Sequence, residues 1–170
     1  AGITITAAPG SDETQSEIEE ELHKARETIK KSGTRVTSVL SDVGNAGDCK
    51  GAVDRHMEAF PSLDILINNA GKAGRYAHKG DTGHDISGHD PAGIAEIIKT
   101  NLCGPYFMLH HALPHMKGLA RARVINISKR TESMHRKAWT PYGPTKAALE
   151  AATIAWAESL SGTGVTGDTF

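Results

Sequence analysis

The sequence has few cysteines, few aromatic residues, little net charge and no long apolar run. Its two cysteines, Cys49 and Cys103, have no metal-like spacing, so we expect reduced structural thiols. The formal net charge of −1 argues against strong electrostatic binding to nucleic acid or to an anionic membrane. No apolar stretch approaches the roughly 20 residues that span a bilayer, and no signal peptide is visible. These absences favour a cytoplasmic protein with no nucleic-acid or membrane partner.

Hydrophobic residues make up 38% of the 170 residues, which is enough for the core of one domain. Segments with strand character alternate with amphipathic segments. The predicted strands are 2–7, 35–40, 63–67, 122–127 and 163–170. The predicted helices are 13–31, 46–60, 91–117 and 142–160, the third of them either continuous or broken before Leu102. The run 63–67 is apolar throughout, which is typical of a strand buried on both faces. We therefore predict an α/β, Rossmann-like doubly wound parallel sheet with helices on both faces.

Small or polar residues stand directly after three of the predicted strands. They are Asp42-Val43, Asn68-Asn69-Ala70-Gly71 and Ser128. Because ligands of such sheets bind beyond the carboxyl ends of the strands, these residues are expected to line one crevice. Taken singly, each has an ordinary alternative, such as a helix cap at Asp42 or a turn at Asn69.

Tyr142 and Lys146 stand four residues apart at the start of a predicted helix, so they share one helical face. A nearby ammonium lowers the pKa of a phenol because it favours the phenolate. A phenol tuned in this way can donate a proton to a carbonyl oxygen or remove one from an alcohol. The spacing alone is also met by a surface tyrosine beside a solvated lysine.

The motifs, taken in order, resemble those of the short-chain dehydrogenase/reductase family. The matching segments are 64–71 (DILINNAG), 100–107 (TNLCGPYF), 123–128 (RVINIS) and 142–149 (YGPTKAAL), with 40–43 (LSDV) fitting the adenine-side segment. The resemblance covers nearly all of the chain. It implies that residues 1–170 form a single, partial dinucleotide-binding domain, and that the protein is an oxidoreductase interconverting a carbonyl and a secondary alcohol.

The resemblance also implies roles for particular residues. Tyr142 would be the general acid/base, and Lys146 would lower its pKa and hold the nicotinamide ribose. Asn101 would kink its helix and anchor a water in a proton relay. Hydride transfer itself would belong to the nicotinamide cofactor.

On the adenine side, Asp42 would accept a hydrogen bond from the adenine amino group, and Val43 would pack beside the ring. Asn69, Ala70 and Gly71 would stabilise the central strand and let the cofactor approach the backbone closely.

The cofactor is expected to be NAD or NADP, and the choice between them stays open. An acidic residue after the first visible strand would favour NAD and a basic one NADP. The segment 7–10 (AAPG) offers neither, and Asp12 is close but late.

The chain departs from the family pattern at both ends. The glycine-rich turn that holds the pyrophosphate is expected upstream of residue 1, and the substrate-covering region downstream of residue 170. The segment 162–167 (GTGVTG) matches G-x-G-x-x-G, but it follows a helix and runs into a strand, so we interpret it as a loop. We therefore expect the chain to be incomplete.

A third departure concerns the catalytic serine. Lys129 stands where the family usually has it, Ser128 is one residue earlier, and Ser133 is closer to Tyr142. A difference of one residue in loop length would restore Ser128, which we prefer as the catalytic serine. The basic loop that carries Lys129, Arg130, Arg136 and Lys137 is either solvated or recognises an anionic substrate.

Two alternatives to an enzyme remain. The chain could be an inactive fragment or degenerate homologue, or a module that binds a nucleotide-like ligand or partner. The histidines at 110, 111 and 115 suggest a metal site only weakly, because Pro114 interrupts them and no HExxH motif is present, so we expect none. By resemblance, the partners are a small-molecule carbonyl or alcohol and further copies of the chain in a dimer or tetramer.

Overall fold

A computed structural model describes residues 2–10, 13–77, 86–130 and 140–170. All its paired strands run parallel. The strands are Gly2–Ala7 (β1), Arg35–Leu40 (β2), Ile65–Asn68 (β3), Ala122–Asn126 (β4) and Val165–Thr169 (β5). They lie in two sheets, β1–β2 and β3–β4–β5, where a single sheet was predicted. The division arises because, within the described residues, β1 and β3 each pair along one edge only.

Helices connect successive strands, as the alternation of segments predicts, and this confirms the doubly wound α/β class. The helices are Gln15–Lys30 (α1), Ala46–Ala59 (α2), Pro91–Ile98 (α3), Gly104–Met116 (α4) and Tyr142–Ser159 (α5). The predicted helix 91–117 is interrupted by a π turn at Lys99–Cys103. Two short 3₁₀ turns, Gly74–Ala77 and Ile86–Gly88, lie between β3 and α3.

Local capping chemistry sets where the first two helices begin. Thr14 caps α1 in a reciprocal capping box with Glu17. Asn45 caps α2 by accepting hydrogen bonds from two backbone N–H groups of its first turn. Asp42 is therefore not the cap of α2. Ser11 and Asp12 lie outside the described residues.

The main core fills the space between one face of β3–β4–β5 and the helices α2, α4 and α5. Its buried side chains are Val53, Leu63, Leu66, Leu109, Ala112, Met116, Ala122, Val124, Leu160 and Val165. The other face of this sheet is open: Ile65 and Ile67 are 55% and 57% exposed. The prediction that the strand at 63–67 is buried on both faces is therefore wrong, because no described element covers the second face.

Candidate active site

Tyr142 and Lys146 lie in the first turn and a half of α5, beyond the carboxyl end of β4. The Lys146 Nζ atom is 5.8 Å from the centroid of the Tyr142 ring. The lysine is only 2% exposed, and its Nζ donates a 2.7 Å hydrogen bond to the carbonyl oxygen of Ile127, just after β4. The helix thus places an ammonium and a phenol on one face, as the spacing predicts.

Burial changes the acidity of both groups. It raises the pKa of the Tyr142 phenol above its usual value and lowers the pKa of the Lys146 ammonium, because a charged form is disfavoured away from water. The expectation that Lys146 lowers the pKa of Tyr142 stays a prediction, and burial acts on the phenol in the opposite direction. Burial thus favours the protonated form of the Tyr142 phenol.

Asn101 lies in the π turn and is fully buried. Its Oδ1 accepts a hydrogen bond from the backbone N–H of Lys72 at 2.7 Å, and its Nδ2 donates to the backbone oxygen of Lys72 at 3.0 Å. Nδ2 also donates to Thr145 Oγ1 at 3.1 Å. The side chain that was predicted to kink its helix therefore joins the loop after β3 to the start of α5.

The loop after β3 brings backbone close to these groups. A Cβ atom on Gly71 would lie 3.4 Å from Asn101 Oδ1 and 3.7 Å from Lys146 Nζ, so this glycine faces both. Asn69, Ala70 and Gly71 are all exposed beyond the end of β3. An exposed backbone beside a buried amide and a buried ammonium can be approached closely by a ligand.

Asp42 and Val43 follow β2. Asp42 Oδ1 accepts a 2.8 Å hydrogen bond from the N–H of Gly44, which orders the turn into α2. Val43 packs against Gly104, where an added Cβ would lie 2.9 Å from Val43 Cγ2. The first residue of α4 thus leaves room for Val43 beside the π turn. No described contact joins Asp42 to Tyr142 or Lys146.

Ser128 follows β4, and its hydroxyl forms a hydrogen bond to a side chain of α5. Its Oγ donates a 2.7 Å hydrogen bond to Glu150 Oε1, one turn beyond Lys146. The expected role of Ser128 in polarising a carbonyl stays a prediction. Lys129 and Arg130 continue the chain, whereas Arg136 and Lys137 of the basic loop lie outside the described residues.

A buried polar ladder beneath the site was missed by the sequence reasoning. Asn68 Nδ2 donates to Asn126 Oδ1 at 2.8 Å, and Asn126 Nδ2 donates to Thr153 Oγ1 at 2.8 Å, which ties β3, β4 and α5 together. The available signal was an asparagine at the end of each apolar strand, because a buried amide needs partners. Glu150 and Thr145 carried no comparable signal.

The profile of the family described as short chain dehydrogenase matches residues 13–168. The chain belongs to the short-chain dehydrogenase family. The match takes in the segments that hold Asp42, Gly71, Asn101, Ser128 and Tyr142, so the resemblance drawn from the motifs is confirmed.

Several relatives of this short-chain dehydrogenase chain are named proteins. It is 29% identical over 166 residues to glucose and ribitol dehydrogenase of Daucus carota, covering 97% of this chain and 53% of the relative. It is 27% identical to the chloroplastic NADPH-dependent aldehyde reductase 1 of Arabidopsis thaliana, covering 97% and 54%. The chain thus spans about half the length of these curated relatives.

A solved structure supports the fold. A metagenomic short-chain oxidoreductase in complex with NADP superposes with a TM-score of 0.81 at 23% identity, covering 99% of this chain and 69% of that one. At this identity the likeness shows the fold alone.

In the described part of this short-chain dehydrogenase chain, no group of three or more His, Cys, Asp or Glu side chains could hold a metal ion. The rings of His110 and His111 lie edge to face with centroids 4.9 Å apart. His89 is buried before α3, whereas His78 and His84 fall outside the described residues. Cys49 and Cys103 are free thiols. Of the described helices, none has the length and apolar character to traverse a bilayer.

Proposed function

We propose that this chain is the catalytic part of a short-chain dehydrogenase that interconverts a small carbonyl compound and a secondary alcohol, using NAD or NADP. One observation carries the proposal: Tyr142, Lys146, Asn101 and Gly71 converge beyond the carboxyl ends of β3 and β4. That end of a parallel sheet is where such folds bind ligands.

The residues present fit a dinucleotide. The exposed backbone of Asn69, Ala70 and Gly71 offers a close approach, and Gly71 lies beside Asn101 and Lys146. Asp42 and Val43 would hold the adenine end, and Lys146 would hold the nicotinamide ribose. The bound nicotinamide would supply or accept the hydride.

Tyr142 would transfer the proton. Burial favours the protonated form of the phenol, and this is the form that would donate a proton to a carbonyl oxygen during reduction. Lys146 would stabilise the phenolate left behind, since its ammonium lies near the ring and its position is held by the Ile127 carbonyl oxygen. Ser128 would polarise the substrate carbonyl after exchanging its bond to Glu150 for one to the substrate.

A second candidate is an inactive relative that binds a nucleotide without turnover. The Ser128 hydroxyl favours it, because that group is engaged by Glu150 in the structure. The two functions differ in one measurable step. Both require the chain to bind a nicotinamide nucleotide, and only the first requires proton transfer at Tyr142.

The Tyr142→Phe substitution tests the proposal in the protein that carries this chain. Removal of the phenolic hydroxyl should lower kcat by about 100-fold or more, because general acid catalysis contributes on that scale. Cofactor binding, followed by energy transfer from Trp156 or Trp139 to NADH and NADPH, should change little. Retained turnover would exclude the role of Tyr142, and absence of saturable binding would exclude both candidate functions.

Three further features stay predictions of this proposal. Residues 1–170 would act as one dinucleotide-binding domain, the protein would work in the cytoplasm, and copies would associate as a dimer or tetramer. Sedimentation analysis of the purified protein measures the last of these directly.

A further inference from the structure

The helix that presents Tyr142 begins after a proline, which cannot cap the helix through its own side chain. Tyr142 is the first residue of α5, and Pro141 before it supplies no side-chain hydrogen bond to the first turn. The first N–H groups of a helix find no acceptor within the helix. The position of the Tyr142 ring therefore depends in part on the contacts that hold the first turn of α5.

Thr145 holds that turn. It is 4% exposed, and its Oγ1 donates a 2.7 Å hydrogen bond to the backbone oxygen of Tyr142. The same Oγ1 accepts a 3.1 Å hydrogen bond from Asn101 Nδ2. The Thr145 hydroxyl thus donates one hydrogen bond to Tyr142 and accepts one from Asn101.

Asn101 is itself anchored, so it can act as a fixed point. Its amide is bonded to both the N–H and the carbonyl oxygen of Lys72, and the Lys72 ammonium pairs with Glu96 on α3 at 2.7 Å. A path of hydrogen bonds therefore runs from the π turn through Thr145 to the backbone of Tyr142.

We propose that Thr145 is a positioning residue for the proton-transfer step: it sets where the Tyr142 phenol stands relative to the substrate. The inference rests on the proposed function, in which Tyr142 transfers the proton. A displacement of about 1 Å at a reacting group can cost about 100-fold in rate, so a shift of the first helical turn has a measurable effect.

The same helix contains a matched control. Thr153 is 3% exposed, its Oγ1 donates to the backbone oxygen of Leu149 at 2.7 Å, and it accepts from Asn126 Nδ2 at 2.8 Å. It therefore has the burial and the bond types of Thr145, about two helical turns farther from the end that carries Tyr142. Valine at either position removes a hydroxyl from closely similar surroundings.

The experiment compares Thr145→Val, Thr145→Ser and Thr153→Val in the protein that carries this chain. Reduction of DL-glyceraldehyde by NADH or NADPH, and oxidation of D-glucose by NAD or NADP, serve as probe reactions. Each variant is measured for kcat, for cofactor KM, for the pH profile of kcat and for the thermal unfolding midpoint.

Thr145→Val should lower kcat by about 10-fold or more and shift its pH profile, with cofactor KM changed by less than about 2-fold. Thr145→Ser keeps the hydroxyl and should recover kcat to within about 3-fold of the unsubstituted protein. Thr153→Val should lose a similar amount of thermal stability but keep kcat within about 2-fold. If Thr145→Val does not fold, the pair Thr145→Ala and Thr153→Ala makes the same comparison without the added methyl group.

Equal losses of kcat at positions 145 and 153, or full activity in Thr145→Val, would overturn the positioning role while leaving the proposed function intact. A parent protein that binds no nicotinamide nucleotide and turns over neither probe would overturn the proposed function, and the inference with it.

Discussion

The two faces of the sheet β3–β4–β5 differ sharply, although they are built from the same strands. Along β3, Leu66 and Asn68 are buried, whereas the alternating residues Ile65 and Ile67 are more than half exposed. The closed face packs on α4 and α5. The open face continues across the register, where Ile67 pairs with Ile125 of β4.

The difference shows which face of the sheet is packed against helices. The helix that carries Tyr142 and Lys146 rests on the closed face, and the buried bonds from Asn68 through Asn126 to Thr153 join that helix to the strands. The open face contributes apolar surface without burial. The helix that carries Tyr142 and Lys146 is thus supported from one side of this sheet.

The largest difference in stability between the two faces is expected from substitutions at two neighbouring residues of β3. Leu66→Ala should lower the free energy of unfolding by about 3 kcal/mol, because it removes buried methyl groups and leaves a cavity. Ile67→Ala should cost less than about 1 kcal/mol, because that side chain is 57% exposed. Urea denaturation followed by circular dichroism measures both, and equal losses would mean that the second face is also buried in solution.

The Lys146→Met substitution tests how much the buried charge of Lys146 destabilises the folded protein. The pKa of Lys146 is lowered from 10.5 by burial, so the folded state disfavours its ammonium. At neutral pH the substitution should stabilise the fold by about 1 kcal/mol while abolishing turnover, since a buried charge is replaced by an apolar chain of similar length.

The pH dependence gives the sign of this effect. Between the lowered folded pKa and 10.5 the unfolded chain binds more protons, so the stability of the unsubstituted protein rises with pH in that window. Below the lowered pKa, the buried ammonium destabilises the fold to its full extent. Above 10.5, Lys146 is neutral in both states and this destabilisation is absent. The advantage of the methionine variant should therefore shrink as the pH approaches 10.5. A constant advantage in thermal melts from pH 7 upward would show that Lys146 is not the cause.

The smallest effect on stability is expected on the open face. The double substitution Ile65→Thr and Ile67→Thr should change the free energy of unfolding by no more than about 1 kcal/mol, because threonine also suits a strand. It should reduce self-association, since the two isoleucines form part of an exposed apolar patch beside an unpaired strand edge. Light scattering against concentration measures this, and unchanged scattering would show that the patch does not drive association.

Local sequence patterns predicted much of this protein. The strands at 2–7 and 35–40 and the helices near 46 and 142 lie where alternation and helical periodicity place them. The same patterns placed Tyr142 and Lys146 one turn apart and identified the family. These features follow from residues close together in the chain, whose spacing fixes which side chains share a face.

Only the tertiary structure decided which residues distant in the sequence contact one another. Asn101 reaches Thr145 across 44 positions, Asn68 reaches Asn126 across 58, and Ser128 finds Glu150 across 22. The raised pKa of Tyr142 likewise comes from burial, which its spacing to Lys146 does not reveal. Such contacts depend on which elements pack together, and the open face of the sheet shows the same limit: an apolar run predicts a strand, but burial requires a neighbour to cover it.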